Sequence, residues 1–419
     1  MLTKIEVRNY RVLRAISQTL EPYQVLIGPN ASGKSTFLDV IAFLADIVSK
    51  PNLAEAIRTR APDIRDLTWM HQSDWLEFAV EAEIPQTVQS DKQYRHVRYE
   101  VKAGVDPDTK ELALLAETLW LLPDNYLNYL PRNSAPLIQQ FYFPKAHDET
   151  RTLIHPRIKG ARKTVDKQSA GNDYFRSEKT EWNNMFRLGP KRSALANLPE
   201  DDERFPAAVW FKRYIAEGVQ RLVMNSEALR RPSPPQSART FLPDGSNLPM
   251  VIHELAETAP QKLNEWIDHV RTALPDVKHI STREREEDRY RYLVLEYNTG
   301  LSAPSWTVSD GTLRLLALTI LAYIPNLTGI YLIEEPENGI HPRAVETVLQ
   351  SLHSVYDAQI LLATHSPIIL SQSRPEDLLC FARTPEGITD IVRGNLHPNL
   401  KDWQHQVDLG VLFGSGVLG

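Results

Sequence analysis

Residues 28–35 read Gly28-Pro29-Asn30-Ala31-Ser32-Gly33-Lys34-Ser35 (GPNASGKS), a full match to the pattern G-x-x-x-x-G-K-[ST]. The flanks decide whether such a match means anything. Gln24–Ile27 is a short apolar run with the signature of a buried strand, and Ser35–Val48 takes up helical spacing. Strand, glycine-rich turn and helix in that order form the context the motif needs. Successive backbone N–H groups of the turn wrap a chain of phosphates, and the helix N-terminus adds a favourable dipole. Lys34 is placed to reach the β- and γ-phosphates, and Ser35 to offer its hydroxyl to Mg²⁺. Gly33 leaves room where a side chain would obstruct the phosphate. An α/β fold with a largely parallel sheet follows from this reading.

Far downstream a second site completes the chemistry. Residues 329–336 read GIYLIEEP, a short apolar strand ending in two carboxylates. At the C-terminal edge of a parallel sheet these face the crevice where ligands bind. Glu334 is expected to hold Mg²⁺ through water, and Glu335 to orient or deprotonate an attacking water. Val308–Arg314 (VSDGTLR) stands just ahead of a helical pattern, so Ser309 and Gly311 form a second helix-start anion site. Read alone, Ser309 is an ordinary helix cap. Thr364–Pro367 (THSP) follows the strand-like Gln359–Ala363 and places His365 at a strand end, where it can donate to a γ-phosphate.

The rest of the chain shows a regular last third around a less regular middle. Leu2–Val7 alternates like a strand, and Trp75–Ile84 and Tyr94–Val101 read as an antiparallel hairpin. Glu111–Leu122 reads as a strand or a short helix. From about Pro131 to Pro249 proline, serine, asparagine and arginine become frequent; Arg230–Ser237 (RRPSPPQS) is a loop by composition. Pro206–Asn225 and Leu248–Leu274 are expected helices, and Arg289–Tyr297 (RYRYLVLEY) a strand. Helices at Leu313–Tyr323 and Ala344–Ser354 then alternate with strands at Ile330–Ile333, Gln359–Ala363 and from Asp377, as a parallel sheet requires. The expected division is 1–130, carrying the phosphate turn and an antiparallel β subdomain; 131–275, a helical and looped insertion; and 276–419, a C-terminal lobe with the remaining motifs.

The composition narrows the class further. With 419 residues the chain suits two domains or one enlarged by insertions. A single cysteine, Cys380, rules out an internal disulfide and a thiolate zinc site, and fits a reducing cytoplasm. No apolar stretch approaches the roughly 20 residues a bilayer demands, so no membrane role and a soluble protein are expected. Forty-seven basic against fifty-three acidic residues, a net charge of −6, rules out a uniformly basic nucleic-acid coat. Arg151–Arg192 is nonetheless locally basic, with Asp166, Asp173, Glu178 and Glu181 its only acids.

The order of motifs, GPNASGKS, then S-D-G, then hydrophobic-E-E-P-E, then T-H-S-P, resembles the ABC-type ATPases. Within them it resembles the RecF-, SMC- and OLD-like branch of AAA family ATPases, over about Met1–Val48 and Thr299–Phe381. The resemblance implies a P-loop ATPase head of mixed sheet with an antiparallel β subdomain and a helical insertion. It implies ATP and Mg²⁺ as cofactors. Gly28, Asn30, Ala31, Ser32, Gly33, Lys34, Ser35 and Thr36 would contact the nucleotide, with Ser35 and Glu334 at the metal. Glu335, His365 and Lys34 would be catalytic, Asn338–His341 the D-loop, and Ser309, Asp310 and Gly311 the signature. Two positions depart from the pattern: Glu334 stands where Asp is usual, and the glutamine loop has only Gln139 and Gln140 (LIQQFYF) as candidates.

In this class the signature lies far from its own P-loop, so the resemblance implies a second copy, head to tail, with each ATP held between one P-loop and the partner's S-D-G. No heptad repeat marks a coiled-coil arm, and no acidic constellation after His365 marks a nuclease. Stand-alone ATPases of this architecture resemble prokaryotic defence or toxin–antitoxin-like components that act with a separate effector, such as a small nuclease. A RecF-like DNA repair ATPase and a low-turnover nucleotide-gated scaffold are the alternatives. Residues 157–187 interleave Arg157, Lys159, Arg162, Lys163 and Lys167 with Tyr174, Phe175, Trp182 and Phe186. That mix suits DNA phosphates and bases, or else a solvated loop. The apolar tail Leu409–Leu418 is expected to dock a partner or to complete the chain's own sheet.

Overall fold

The computed structural model describes residues 1–88, 93–124, 126, 152–168, 171–400 and 408–414. Its strands, in chain order, are β1 (Leu2–Tyr10), β2 (Leu13–Thr19), β3 (Tyr23–Ile27), β4 (Trp75–Glu83), β5 (Tyr94–Val105), β6 (Leu112–Pro123), β7 (Arg162–Gln168), β8 (Asp173–Arg176), β9 (Asn183–Phe186) and β10 (Val219–Leu222). They continue with β11 (Val277–Glu284), β12 (Arg291–Tyr297), β13 (Ser302–Pro304), β14 (Gly329–Glu334), β15 (Ala358–Ala363), β16 (Leu378–Arg383) and β17 (Thr389–Arg393). The helices are α1 (Lys34–Ser49), α2 (Leu53–Arg58), α3 (Pro206–Ala216), α4 (Ser226–Arg230), α5 (Leu248–Thr258), α6 (Pro260–Ala273), α7 (Asp310–Thr319), α8 (Pro342–His353), α9 (Pro367–Ser371) and α10 (Leu409–Gly414).

Three sheets result. The central one has the order β10-β14-β15-β3-β16-β17, parallel except for the β16–β17 hairpin. An antiparallel sheet runs β2-β1-β4-β5-β6-β7-β8-β9, and a small one β11-β12-β13. Alternate residues of the central strands enter different cores. Leu26, Leu332, Leu361, Ala363 and Phe381 face a core shared with the antiparallel sheet, whereas Val25, Ile27, Ile333, Ile360 and Leu362 face one built with α6, α7 and α8. A strand buried on both faces reads as a continuous apolar run, which is why these strands stood out in the sequence. Helix α1 is wedged between the two large sheets and is buried on most of its circumference, from Phe37 to Val48. Tyr10 and Phe43 each meet Phe78 edge-on across that layer, at centroid separations of 5.1 and 5.6 Å.

Several elements differ from the sequence expectation. Residues 162–186 are not part of a helical insertion: β7, β8 and β9 extend the antiparallel sheet beyond β6. The start of the chain is divided between layers, since β1 and β2 join the antiparallel sheet while β3 and α1 belong to the central layer. Both large sheets therefore cross residue 130, and β10 carries the central sheet into the middle third. Pairing partners distant in sequence leave no mark in local periodicity. The helix expected over Pro206–Asn225 ends at Ala216, and its continuation is β10. There Gly218 and Gly329 pass so closely that a Cβ on Gly329 would lie 2.4 Å from the Gly218 carbonyl oxygen. Leu248–Leu274 is two helices, parted where Pro260 starts α6. Among the described residues no helix is long and apolar enough to cross a membrane.

Candidate nucleotide site

The turn between β3 and α1 is shaped by close approaches. Gly28 has φ +147°, and a Cβ there would lie 2.3 Å from the Phe381 carbonyl oxygen. Gly33 has φ +107°, and its Cβ would lie 2.7 Å from Thr389 Oγ1, which itself donates to Ser32 O at 2.8 Å. β16 and β17 thus brace the turn from behind, a role only the tertiary structure reveals. Ala31 also has positive φ, +60°. Lys34 Nζ curls back into the turn, donating to Gly28 O at 2.7 Å and Pro29 O at 3.0 Å, with His365 Nδ1 at 3.5 Å. Burial pulls its ammonium down to about 8, although Glu335 and Glu334 act in the opposite sense. Asn30, Ala31 and Ser35 are exposed, Thr36 is half-buried, and Ser32 is buried.

Parallel register brings the second cluster to the same edge. β14 pairs with β15, whose residues pair with β3, so Glu334, Ala363 and Leu26 lie at matching heights. Ser35 Oγ donates to Glu334 Oε2. The other carboxylate oxygen, Oε1, accepts from Arg221 of β10 at 2.6 Å. Glu335 follows with φ +48°, a left-handed conformation uncommon for a side-chain-bearing residue. Its amide is tied to Ala363 O at 2.8 Å, and its carboxylate accepts from Asn338 and faces His365 Nε2 at 3.9 Å. Thr364 Oγ1 donates to Glu337 at 2.6 Å, and burial holds the Glu337 carboxyl above the ordinary range.

Lys34, Ser35, Glu334, Glu335 and His365 are therefore brought together from three strand ends. Ser309, Asp310 and Gly311 are not. Ser309 caps α7, accepting from Thr312 N at 3.2 Å and donating to Thr312 Oγ1 at 2.8 Å. Asp310 pairs with Arg230 at 2.5 Å. A Cβ on Gly311 would lie 2.3 Å from Gly339 O, so the start of α7 is packed onto the Asn338–His341 stretch, which Arg314 also holds through Asn338 O at 2.9 Å. Among the described residues no hydrogen bond or ion pair joins these three to Gly28–Thr36. Ser309 and Asp310 are exposed.

A scan against family models matches residues 25–371 to the family described as "AAA domain, putative AbiEii toxin, Type IV TA system". The chain belongs to this AAA domain family. No curated protein matches it. Among solved structures, an SMC head bound to the C-terminal winged-helix domain of ScpA aligns over 93% of this chain and 96% of its own, with 13% identity and a TM-score of 0.51. An SMC head from Thermotoga maritima aligns over 94% of this chain and 98% of its own (10% identity, TM-score 0.42). One from Pyrococcus furiosus, bound to the C-terminal domain of ScpA, aligns over 93% and 95% (13% identity, TM-score 0.45). The first of these likenesses shows the fold, that of an SMC-head P-loop ATPase, and the AAA family match agrees with the resemblance read from the motifs.

Within this AAA fold the remaining expectations fall out unevenly. The donors at the position expected to hold a metal are oxygens, Ser35 Oγ and the Glu334 carboxylate, already in mutual contact. Such a set suits Mg²⁺, which takes few protein ligands and fills its octahedron with phosphates and water. Gln139 and Gln140 lie outside the described residues. Arg221, at the matching edge of the sheet, was missed: β10 is four residues long, too short for a periodic signal. In the basic segment, Lys167 is buried against Asp173 at 2.7 Å and Phe175 is a core residue, so neither faces solvent. Arg162 donates to Ser177 O at 2.8 Å and to Thr180 O, and Trp182 packs on Phe205. A β-meander turns alternate side chains inward, which composition cannot show. The described part of the tail neither joins a sheet nor stands free: α10 lies on α9, with Leu409 buried and Ser371 donating to Asp408 at 2.6 Å.

Proposed function

We propose that this chain binds ATP with Mg²⁺, hydrolyses it, and closes head to tail with a second copy around the nucleotide. The observation that carries this is the division of the expected residues. Lys34, Ser35, Glu334, Glu335 and His365 converge on one sheet edge, while Ser309 and Asp310 face solvent at the start of α7 and no described hydrogen bond or ion pair joins them to Gly28–Thr36. A single copy so arranged lacks the cap of its own site. Lys34 would neutralise the β- and γ-phosphates, and Ser35 with Glu334 would hold the metal. Bound Mg²⁺ would supply charge stabilisation at the transferring phosphoryl group. Glu335, fixed by Asn338, would accept the proton of the attacking water, and His365 would donate to the γ-phosphate.

Closure of this kind is a population shift driven by the nucleotide's preference for the closed form. Gly28–Thr36 would line one side of the interface and Ser309, Asp310 and Gly311 the other. The family description points to a toxin–antitoxin-like or defence role, with a separate effector such as a small nuclease released or recruited by the ATP cycle, in a cytoplasmic setting. Residues 157–187 would then offer DNA only their outward cations, Arg157, Arg176 and Lys179 among them. The test of the core reading is Glu335→Gln with Mg·ATP. A stable dimer by light scattering, absent with ADP, is expected; a mass unchanged by ATP would refute composite closure.

A further inference from the structure

Arg221 occupies a place that the reading above leaves unassigned. It lies on β10, the edge strand beside β14, in parallel register with Leu332. Glu334 is two residues beyond Leu332 and so projects from the same face. The Arg221 guanidinium meets Glu334 Oε1 at 2.6 Å while Ser35 Oγ holds Oε2. The carboxylate expected to receive the metal is thus clasped from both sides, once by a hydroxyl and once by a fixed cation. Arg221 is about half exposed, at 51%, and lines a cavity of about 490 Å³ together with Ser35, Asp39 and Arg60. Of the cations lining that cavity, Arg60 is committed to Asp39 at 3.0 Å and Asp46 at 2.6 Å and Arg11 to Asp39 at 3.2 Å, whereas Arg221 is ion-paired with Glu334.

A guanidinium and a divalent cation cannot share one carboxylate without mutual repulsion. The extra methylene of Glu over the usual Asp lets the same carboxylate reach either one. We propose that Arg221 is a positioning residue that holds Glu334 in the metal-free site and must release it before Mg²⁺ can settle. The inference rests on the nucleotide reading and deepens it, since it makes metal entry the event that unlocks Glu334. Arg221 acts through Glu334 and touches no reacting atom. The energetic scale is that of a half-exposed ion pair, screened by solvent and salt.

The experiment follows fluorescent mant-ADP bound to the full chain, starting in chelator and titrating free Mg²⁺. Arg221→Gln should lower the half-saturating Mg²⁺ concentration about two- to five-fold, the range that a half-exposed pair represents. Arg221→Lys, which keeps the charge, should stay near the wild type. On a Glu334→Gln background the Arg221→Gln change should have no further effect, because the pair is already absent. An unchanged or raised Mg²⁺ requirement in Arg221→Gln, or an undiminished effect on the Glu334→Gln background, overturns the latch. Should Arg221→Gln fail to fold, Arg221→Met, which keeps the apolar stem and removes the charge, gives the second measurement: its Mg²⁺ half-point must also fall at constant salt, and an unchanged value overturns the proposal. Wild-type protein that binds mant-ADP no better than Lys34→Ala would instead sink the nucleotide reading, and the latch with it.

Discussion

Replacing Asp390 by Asn should stabilise the protein, and increasingly so as the pH rises. Asp390 lies in β17, 1% exposed, and neither carboxylate oxygen has a side-chain hydrogen-bond partner among the described residues. Burial pushes its carboxyl up from 3.8 to about 7, with the neighbouring Ile391 amide acting in the opposite sense. The folded chain therefore holds a proton that the unfolded chain sheds near pH 4. Stability from this group is full below that point and declines as the pH rises toward 7. Each pH unit in that window costs about 1.4 kcal/mol, on the order of 4 kcal/mol across the whole of it. Asn fills the same space without an ionisable proton. Between pH 5 and pH 8 the margin of Asp390→Asn over the wild type should widen by about 2–3 kcal/mol. Amide hydrogen exchange over residues 378–393, read at both pH values, reports the opening free energy of the β16–β17 hairpin directly. A margin that stays constant or narrows with pH would refute the argument. Because Thr389 of the same strand braces Ser32, the measurement also probes the support of the phosphate turn.

Three further outcomes are expected. With Lys34 titrating at about 8 in the free protein, mant-ATP affinity should hold from pH 6.5 to 7.5 and weaken above pH 8, as the ammonium that meets the phosphates loses its proton; a flat profile to pH 9.5 would contradict this. Gly33→Ala would bring its Cβ within 2.7 Å of Thr389 Oγ1 at a φ of +107°, so nucleotide binding should fall at least ten-fold and thermal stability drop measurably, checked by fluorescence titration and calorimetry. Arg98 is buried against Glu6, Glu81 and Glu100 at 2.6–2.7 Å, so Arg98→Met should cost about 3–5 kcal/mol in urea unfolding at pH 7. Burial opposes the charge on Glu6, but Arg98 and Lys4 hold its carboxyl at about 2, so the wild-type advantage should shrink as the pH falls through the acid range.

The charged layer around Arg98 shows why local patterns stop short of tertiary structure. Lys4, Glu6, Glu77, Glu81, Arg98 and Glu100 alternate along β1, β4 and β5 as a solvated face would. In the fold Glu81 is covered by Tyr126, whose hydroxyl donates to it, and Glu77, Glu100 and Arg98 are buried under residues 152–155. There Leu153 N donates to Glu77 at 2.8 Å, and His155 N donates to Glu100 at 3.0 Å. Alternation reports which side chains share a face and says nothing of what later covers that face.

The sequence alone carried the phosphate turn, the double acid after a buried strand, and the helix start at Ser309, because each is a short contiguous device whose physics is local. It carried the parallel layer for a related reason: strands buried on both faces must be continuously apolar. The tertiary structure decided which strands adjoin. Register alone sets Glu334 against Ser35, puts Thr389 behind the turn, and brings Arg221 from a four-residue strand onto the Glu334 carboxylate. It also decided that α7 packs on Gly339 while Ser309 and Asp310 stay in solvent. Residues more than a hundred positions apart meet only through long-range pairing, and the hydrophobic burial that drives that pairing is indifferent to the polar groups it brings face to face.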